Sequence, residues 1–224
     1  MSESQIQQRT DTAHLAWDKR WQTEEGRADW TRPNEDVASL IEKLQADAPV
    51  KALDLGCGVG RHALAFARAG FETHAIDLSE TGLTQVQRSA AESGLAVRTQ
   101  VAPMTALPFE DNSFDYVLSF NVIYHGNPDV VKKAITEIAR VLKPGGTYQG
   151  TMLSKRNSNF GLGTEIAPDT FVKEGDDDKD HPHFYCSAAE LVHLFEAFEL
   201  RSLEDKLHRK SGSWHWHMIA DRRD

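Results

Sequence analysis

Cysteine is scarce in this sequence: Cys57 and Cys186 are the only two in 224 residues. A disulfide framework is therefore excluded as the source of stability, and a chain this long can bury an ordinary core without one. Cys57 lies inside a glycine loop that must keep its shape, so pairing with Cys186 is not expected and both read as reduced thiols. Long hydrophobic runs are missing, and with no stretch near 18 apolar residues a membrane-spanning helix is not expected. The opening residues are polar and lack the apolar centre of a signal peptide, so a cytoplasmic location is expected. Basic runs are missing as well: 34 acidic against 25 basic residues leave a formal charge of −9. A duplex or an anionic membrane generally demands a basic face, so neither is expected as a partner and a small molecule is favoured. No internal repeat occurs, and no low-complexity tract beyond the acidic run at 176–178.

What the chain does contain is an alternation of short apolar runs with helix-length segments. Near the start, Trp17 and Trp21 stand four apart on one face of a helical segment at 14–26. Trp30, Arg32 and Pro33 interrupt it, Asn34 is placed to cap a helix at 35–45, and Pro49 ends that helix. Strands are expected at 50–55, 72–76, 97–101, 116–120 and 147–153, with helices at 60–69, 79–93 and 129–142 between them. Residues 154–185 read as a long irregular stretch. A helix capped by Ser187 and a final strand pair at 199–203 and 214–220 follow. Such alternation predicts an α/β fold with a doubly wound, mostly parallel seven-stranded sheet that ends in an antiparallel hairpin. Residues 1–48 would form an N-terminal helical lid, residues 49–224 the main domain, and 154–186 an insertion on the substrate side.

The chemistry concentrates in Asp54-Leu55-Gly56-Cys57-Gly58-Val59-Gly60, between the first strand and its helix. Glycines there let the backbone turn tightly and let a ligand lie against the main chain, beside the unpaired N–H groups of a helix N-terminus. Asp77 closes the second strand 21 residues after Gly56, where a carboxylate can accept from both hydroxyls of a ribose. The pair specifies a nucleoside-type cofactor. A pyrophosphate binder would carry a third glycine where this chain has Arg61. Asp54 beside the loop would repel a pyrophosphate but suits an ammonium or sulfonium group. The balance falls to S-adenosylmethionine (SAM).

Residues 50–60 resemble motif I of the class I SAM-dependent methyltransferases, and Ala75-Ile76-Asp77-Leu78-Ser79 resembles their motif II. Leu107-Pro108-Phe109, Ser113-Phe114-Asp115-Tyr116-Val117 and Arg140-Val141-Leu142-Lys143-Pro144-Gly145-Gly146 resemble the later motifs of the small-molecule, type 11/25-like branch. The resemblance implies a Rossmann-like fold and a methyl transfer from SAM to a small-molecule acceptor, giving S-adenosylhomocysteine. It implies that Asp54 and the loop Gly56, Cys57, Gly58 and Gly60 hold the methionine part and ribose. Asp77 would take the ribose hydroxyls, Leu78 and Met104 would flank the adenine, and Asn121 would lie near the methionine end. One departure is visible: Ala102-Pro103 stands where the family keeps an acid for the adenine amino group. Two rival readings stay open, a nucleotide-dependent oxidoreductase on the same fold and a non-catalytic SAM-binding protein.

Ligands of open α/β sheets bind beyond the carboxyl ends of the strands. Tyr124 and His125 leave the fourth strand there and are the candidate catalytic pair. His125 is either a general base or a loop cap. Trp21 and Trp30, together with Arg156, His181, His183 and Tyr185 from the insertion, are the candidate acceptor contacts. His181 and His183, like His215 and His217, are two apart and could chelate a metal on a strand. No cysteine or carboxylate stands at a recognisable ligand spacing, so no metal is expected. In the last strand Trp214 and Trp216 alternate with His215 and His217, and the tryptophans are the expected core set.

Overall fold

The computed structural model describes residues 13–45, 50–175, 180–208 and 210–224. The polar start, Pro49 and the acidic run 176–178 lie outside the described residues. Seven described helices are α1 (Ala13–Trp21), α2 (Glu24–Ala28), α3 (Glu35–Gln45), α4 (Arg61–Arg68), α5 (Glu80–Glu92), α6 (Pro128–Val141) and α7 (Ala188–Leu194). The strands are β1 (Lys51–Leu55), β2 (Glu72–Asp77), β3 (Val97–Val101), β4 (Phe114–Ser119), β5 (Leu142–Ser154), β6 (Thr164–Ala167), β7 (Thr170–Val172), β8 (His183–Cys186), β9 (Phe198–Leu207) and β10 (Trp214–Arg222).

Parallel pairing orders the first five strands β3-β2-β1-β4-β5, with the chain reversing direction across the sheet between β1 and β4. β10 then pairs antiparallel with β5 and β9 with β10, which is the expected terminal hairpin. Leu153 of β5 faces Tyr185 of β8 on one side and His215 of β10 on the other. β8 therefore lies on the same edge of β5 as β4, just beyond the point where β4 ends. That placement sets the loop after β4 against the histidines that precede and begin β8.

Helix faces explain the two sides of the sheet. In α6 the buried residues Val131, Ala134, Ile135, Ile138 and Val141 recur at three and four, and Asn127 caps the helix by accepting from the N–H groups of Asp129 and Val130. This face packs with Leu53, Val117, Tyr148 and Met218 in the larger core cluster. Val37, Leu40 and Ile41 of α3 join Phe66 of α4 and Tyr116 in a second cluster. Burial on both faces is why the central strands carry near-continuous apolar runs.

Several boundaries differ from expectation. Among the described residues the sheet has ten strands, not seven, because the irregular stretch folds into the β6–β7 hairpin and β8. Those strands are three or four residues long and lack clear alternation, so no period marks them. The helix at 14–26 is broken, because the Thr23 hydroxyl accepts from the Gly26 N–H and starts α2. β5 begins at Leu142 and runs through Pro144-Gly145-Gly146, with Gly145 at φ 73° and a register shift opposite Phe114 and Tyr116. In β10, Trp216 packs on the larger core as expected. His215 is nevertheless buried on the opposite face, where its ring stacks 3.7 Å from His208. Among the described residues, no helix is long and apolar enough to cross a membrane.

Candidate active site

β1 hands the chain to α4 through Gly56, Gly58 and Gly60, all in the left-handed region at φ 69°, 53° and 83°. A Cβ on Gly56 would come within 2.5 Å of the Val122 side chain, and one on Gly58 within 3.1 Å of the Trp21 ring. Conformation and space thus both require glycine. The loop is fastened from β2: the Asp77 carboxylate accepts the Gly58 N–H at 2.8 Å and the Ser79 N–H at 2.8 Å. Burial raises the pKa of Asp77, and those backbone N–H groups oppose the rise.

Asp54 behaves differently from the sequence expectation. It is buried beneath the start of α4 and accepts the Ala63 N–H at 2.9 Å. It is not among the residues lining the cleft. Burial pushes its pKa up to about 7.

The cleft at the loop is lined by Gly56, Cys57 and Gly58, by Asp77 and Leu78 after β2, and by Pro103 and Met104 after the neighbouring β3. The Cys57 thiol is buried and unpaired. Burial lifts its pKa well above the usual range. Where the expected acid is replaced by Ala102-Pro103, Thr105 offers a polar side chain on the cleft wall, which sequence reasoning did not single out. Asn121 closes the far end at φ 63°, an uncommon conformation that asparagine tolerates best. Its N–H donates to the Thr151 hydroxyl at 2.8 Å, and that hydroxyl donates to its side-chain oxygen at 3.1 Å.

The N-terminal segment supplies the roof. Trp17 and Trp21 stack at 5.2 Å, Trp30 meets both edge-on, and the Arg61 guanidinium lies 4.8 Å from the Trp30 ring. His14 and Trp17 also line the cleft, contacts that the sequence did not assign. α1 is held down by Asp18, which accepts from the Ser79 hydroxyl at 2.7 Å, the Thr81 N–H at 3.0 Å and the Thr81 hydroxyl at 3.1 Å. Trp17, Trp30, Arg61, Phe120, Asn121 and His125 also line a neighbouring, larger cleft of about 740 Å³, against about 160 Å³ for the first.

His125 stands on the wall common to both clefts, and Tyr124 lines the larger one. A carbonyl only accepts, so His125 donates Nε2–H to the Asn121 carbonyl at 3.2 Å, leaving Nδ1 to accept from His181 Nε2–H at 2.9 Å. His183 donates Nδ1–H to the His181 carbonyl at 2.8 Å. His181 and His183 are buried behind His125 and line neither cleft. Arg156 and Tyr185 are also absent from both walls. Arg156 lies 3.7 Å over the Trp214 ring and pairs with Asp205, while Tyr185 packs among Phe160 and Phe171.

A doubly wound, mostly parallel sheet with a glycine loop after β1 and a carboxylate closing β2 defines a Rossmann-like nucleoside-binding protein. Residues 52–146 match the methyltransferase-domain family. Over that stretch the chain is similar to methyltransferase domains, and its fold is that of a solved SAM-dependent methyltransferase from Methanosarcina mazei, at 23% identity and a TM-score of 0.67, covering 78% of this chain and 93% of that one. It is 34% identical over 115 residues to an uncharacterised methyltransferase of Bacillus subtilis, covering 51% of this chain and 45% of that protein. It is 29% identical over 188 residues to a sterol 4-C-methyltransferase of Caenorhabditis elegans, covering 83% of this chain and 49% of that protein. The chain thus spans about half the length of these curated relatives. The same fold appears in the 1,6-didemethyltoxoflavin-N1-methyltransferase of Burkholderia thailandensis, crystallised with 1,6-didemethyltoxoflavin and S-adenosylhomocysteine. There the identity is 22%, the TM-score 0.71, and 95% of this chain and 89% of that one are covered.

Proposed function

We propose that this chain is an enzyme that transfers the methyl group of SAM to a small-molecule acceptor, leaving S-adenosylhomocysteine. The observation that carries the reading is the common wall: Trp17, Trp30, Arg61, Phe120, Asn121 and His125 line both clefts, so a cofactor on the glycine loop opens directly onto a space for a second molecule. The residues fit SAM. Gly56 and Gly58 expose main chain to it, Asp77 keeps acceptor capacity for ribose hydroxyls, and Leu78 and Met104 present apolar walls to an adenine. Bound SAM supplies an activated methyl on a sulfonium, so the protein's task is alignment and exclusion of water. Asn121 and His125 hold the acceptor side, and residues 1–48 act as a lid whose Trp17 and Trp30 exclude water.

Asp54 supports the loop from below and does not contact the cofactor directly. His125 has both ring nitrogens engaged, so taking a proton from an acceptor would cost it one of two hydrogen bonds; Tyr124 and His125 are therefore assigned to positioning. Trp21 backs the loop at Gly58, and Trp17 and Trp30 are the tryptophans that reach the acceptor. A net charge of −9 argues against a nucleic-acid acceptor, and two buried, unpaired cysteines fit a reducing, cytoplasmic setting.

Calorimetric titration with SAM and with NAD(P), followed by incubation with thiols, phenols, amines and carboxylates, tests the proposal. SAM should bind in preference to NAD(P), and S-adenosylhomocysteine should form with at least one acceptor class. Asp77→Ala should weaken SAM binding roughly 100-fold, the loss of two hydrogen bonds to a charged group. Preference for NAD(P), or full affinity in Asp77→Ala, would overturn the cofactor assignment. SAM binding with no product from any acceptor would point to a non-catalytic binding protein.

A further inference from the structure

We infer that His125, His181 and His183 form a binding site for one divalent transition-metal ion of the zinc type. One ring nitrogen from each of the three lies within 4.8 Å of the others, and all three side chains are buried, at 9%, 2% and 1% exposure. Sequence spacing shows only the pair two residues apart. The fold adds His125, 56 residues from His181, by placing β8 beyond the end of β4, where the Phe184 N–H donates to the Tyr124 carbonyl at 2.9 Å.

Hydrogen bonding orients the rings as metal ligands are oriented. A ligating imidazole characteristically donates its outer N–H to a carbonyl or carboxylate, which fixes the tautomer and turns the lone pair inward. His125 does this with the Asn121 carbonyl, leaving Nδ1 as the coordinating atom, and His183 does it with the His181 carbonyl, leaving Nε2. His181 joins them through its Nε2–H bond to His125 Nδ1, at 2.9 Å. Two nitrogens bound at about 2.0–2.1 Å to one tetrahedral ion stand about 3.3 Å apart, so the 2.9 Å pair opens by a few tenths of an ångström, while the wider spacings, up to 4.8 Å, close by side-chain rotation of the three rings. On binding, the His181 tautomer reverses: its proton resides on Nδ1, and the Nε2 lone pair goes to the ion. No bond to carbon changes and no proton is lost.

Three neutral imidazoles, with no carboxylate in the group among the described residues, select borderline ions such as Zn²⁺ or Co²⁺ over Mg²⁺ or Ca²⁺, which prefer oxygen. Three protein ligands leave a fourth position for water or another small ligand. His125 lines the cleft walls, so the ion enters from that side.

The full chain, stripped with a chelator, would be titrated with Zn²⁺ by calorimetry and with Co²⁺ by visible absorption, with metal content read by mass spectrometry. One ion per chain is expected, with cobalt bands of tetrahedral intensity. Affinity should fall at least 100-fold in His181→Ala and His183→Ala. It should persist in His217→Ala, which removes the neighbouring His208–His217 contact of 2.6 Å. Should the alanine variants fail to fold, the cobalt-loaded wild type decides by NMR, where three paramagnetically shifted imidazole N–H protons are expected. Fewer than three, no stoichiometric binding by folded wild-type protein, or binding lost with His217 but not with His183, would overturn the inference.

Discussion

Asp54 holds a carboxyl at 2% exposure on a single backbone hydrogen bond, from Ala63. Burial pushes its pKa up to about 7, with the Arg61 charge opposing and Asp77 reinforcing the rise. In the unfolded chain the same group titrates near pH 4. Between those values the folded state keeps a proton that the unfolded state has lost, so this group's contribution to stability falls as pH rises from about 4 to 7 and levels off above. A shift of roughly three units corresponds to about 4 kcal/mol at the plateau, as an order of magnitude. Asp54→Asn should abolish that slope. Denaturant unfolding at pH 5 and pH 8 should show the variant gaining roughly 2–4 kcal/mol relative to wild type between the two. Parallel pH dependence in the two proteins would refute it. The glycines and Asp77 were legible because their requirements are local: positive φ, close approach, a fixed interval along the chain. The Asp54 side chain was not, since its direction depends on how α4 docks over β1.

α1 is joined to the cofactor-side helix α5 by one carboxylate. Asp18 takes three hydrogen bonds from Ser79 and Thr81, and the Ser79 hydroxyl in turn accepts the Gly82 N–H that begins α5. Asp18→Ala should cost about 1–3 kcal/mol locally and speed amide exchange across residues 13–21 by roughly 10- to 100-fold. Exchange in β1 and β4 should change far less. Mass-resolved exchange showing no selective loosening of α1 would sink the idea of a latch. Nothing in the sequence marks this contact, because Asp18 and Ser79 are 61 residues apart. The long parallel strands and α6 were legible from apolar runs and three-four spacing. β6, β7 and β8 were not, since such short segments owe their strand form to neighbouring backbone and not to a period of their own.

At the scale of the whole chain the family match covers 52–146, the stretch that carries Gly56, Asp77 and Met104. Trp17 and Trp30 fall outside it, so the larger cleft is lined both from the matched stretch, by Arg61, Phe120, Asn121 and His125, and from the segment before it. Ligand binding should couple the two parts thermodynamically, because the cofactor cleft lies between the α1 roof and the loop on the sheet. S-adenosylhomocysteine at 100 times its Kd would stabilise the folded state by about 2.7 kcal/mol, provided it does not bind the unfolded chain. For a domain of this size that corresponds to a rise in Tm of roughly 5–10 °C. Thermal unfolding followed by tryptophan fluorescence should report it, since Trp17, Trp21 and Trp30 cluster over the cleft. Asp77→Ala should erase the rise, because the ribose contact is gone. Asp18→Ala should reduce it, because part of the binding energy would then go to closing a loosened roof. An equal rise in all three proteins would mean that the ligand binds elsewhere, and the cleft would lose its assignment.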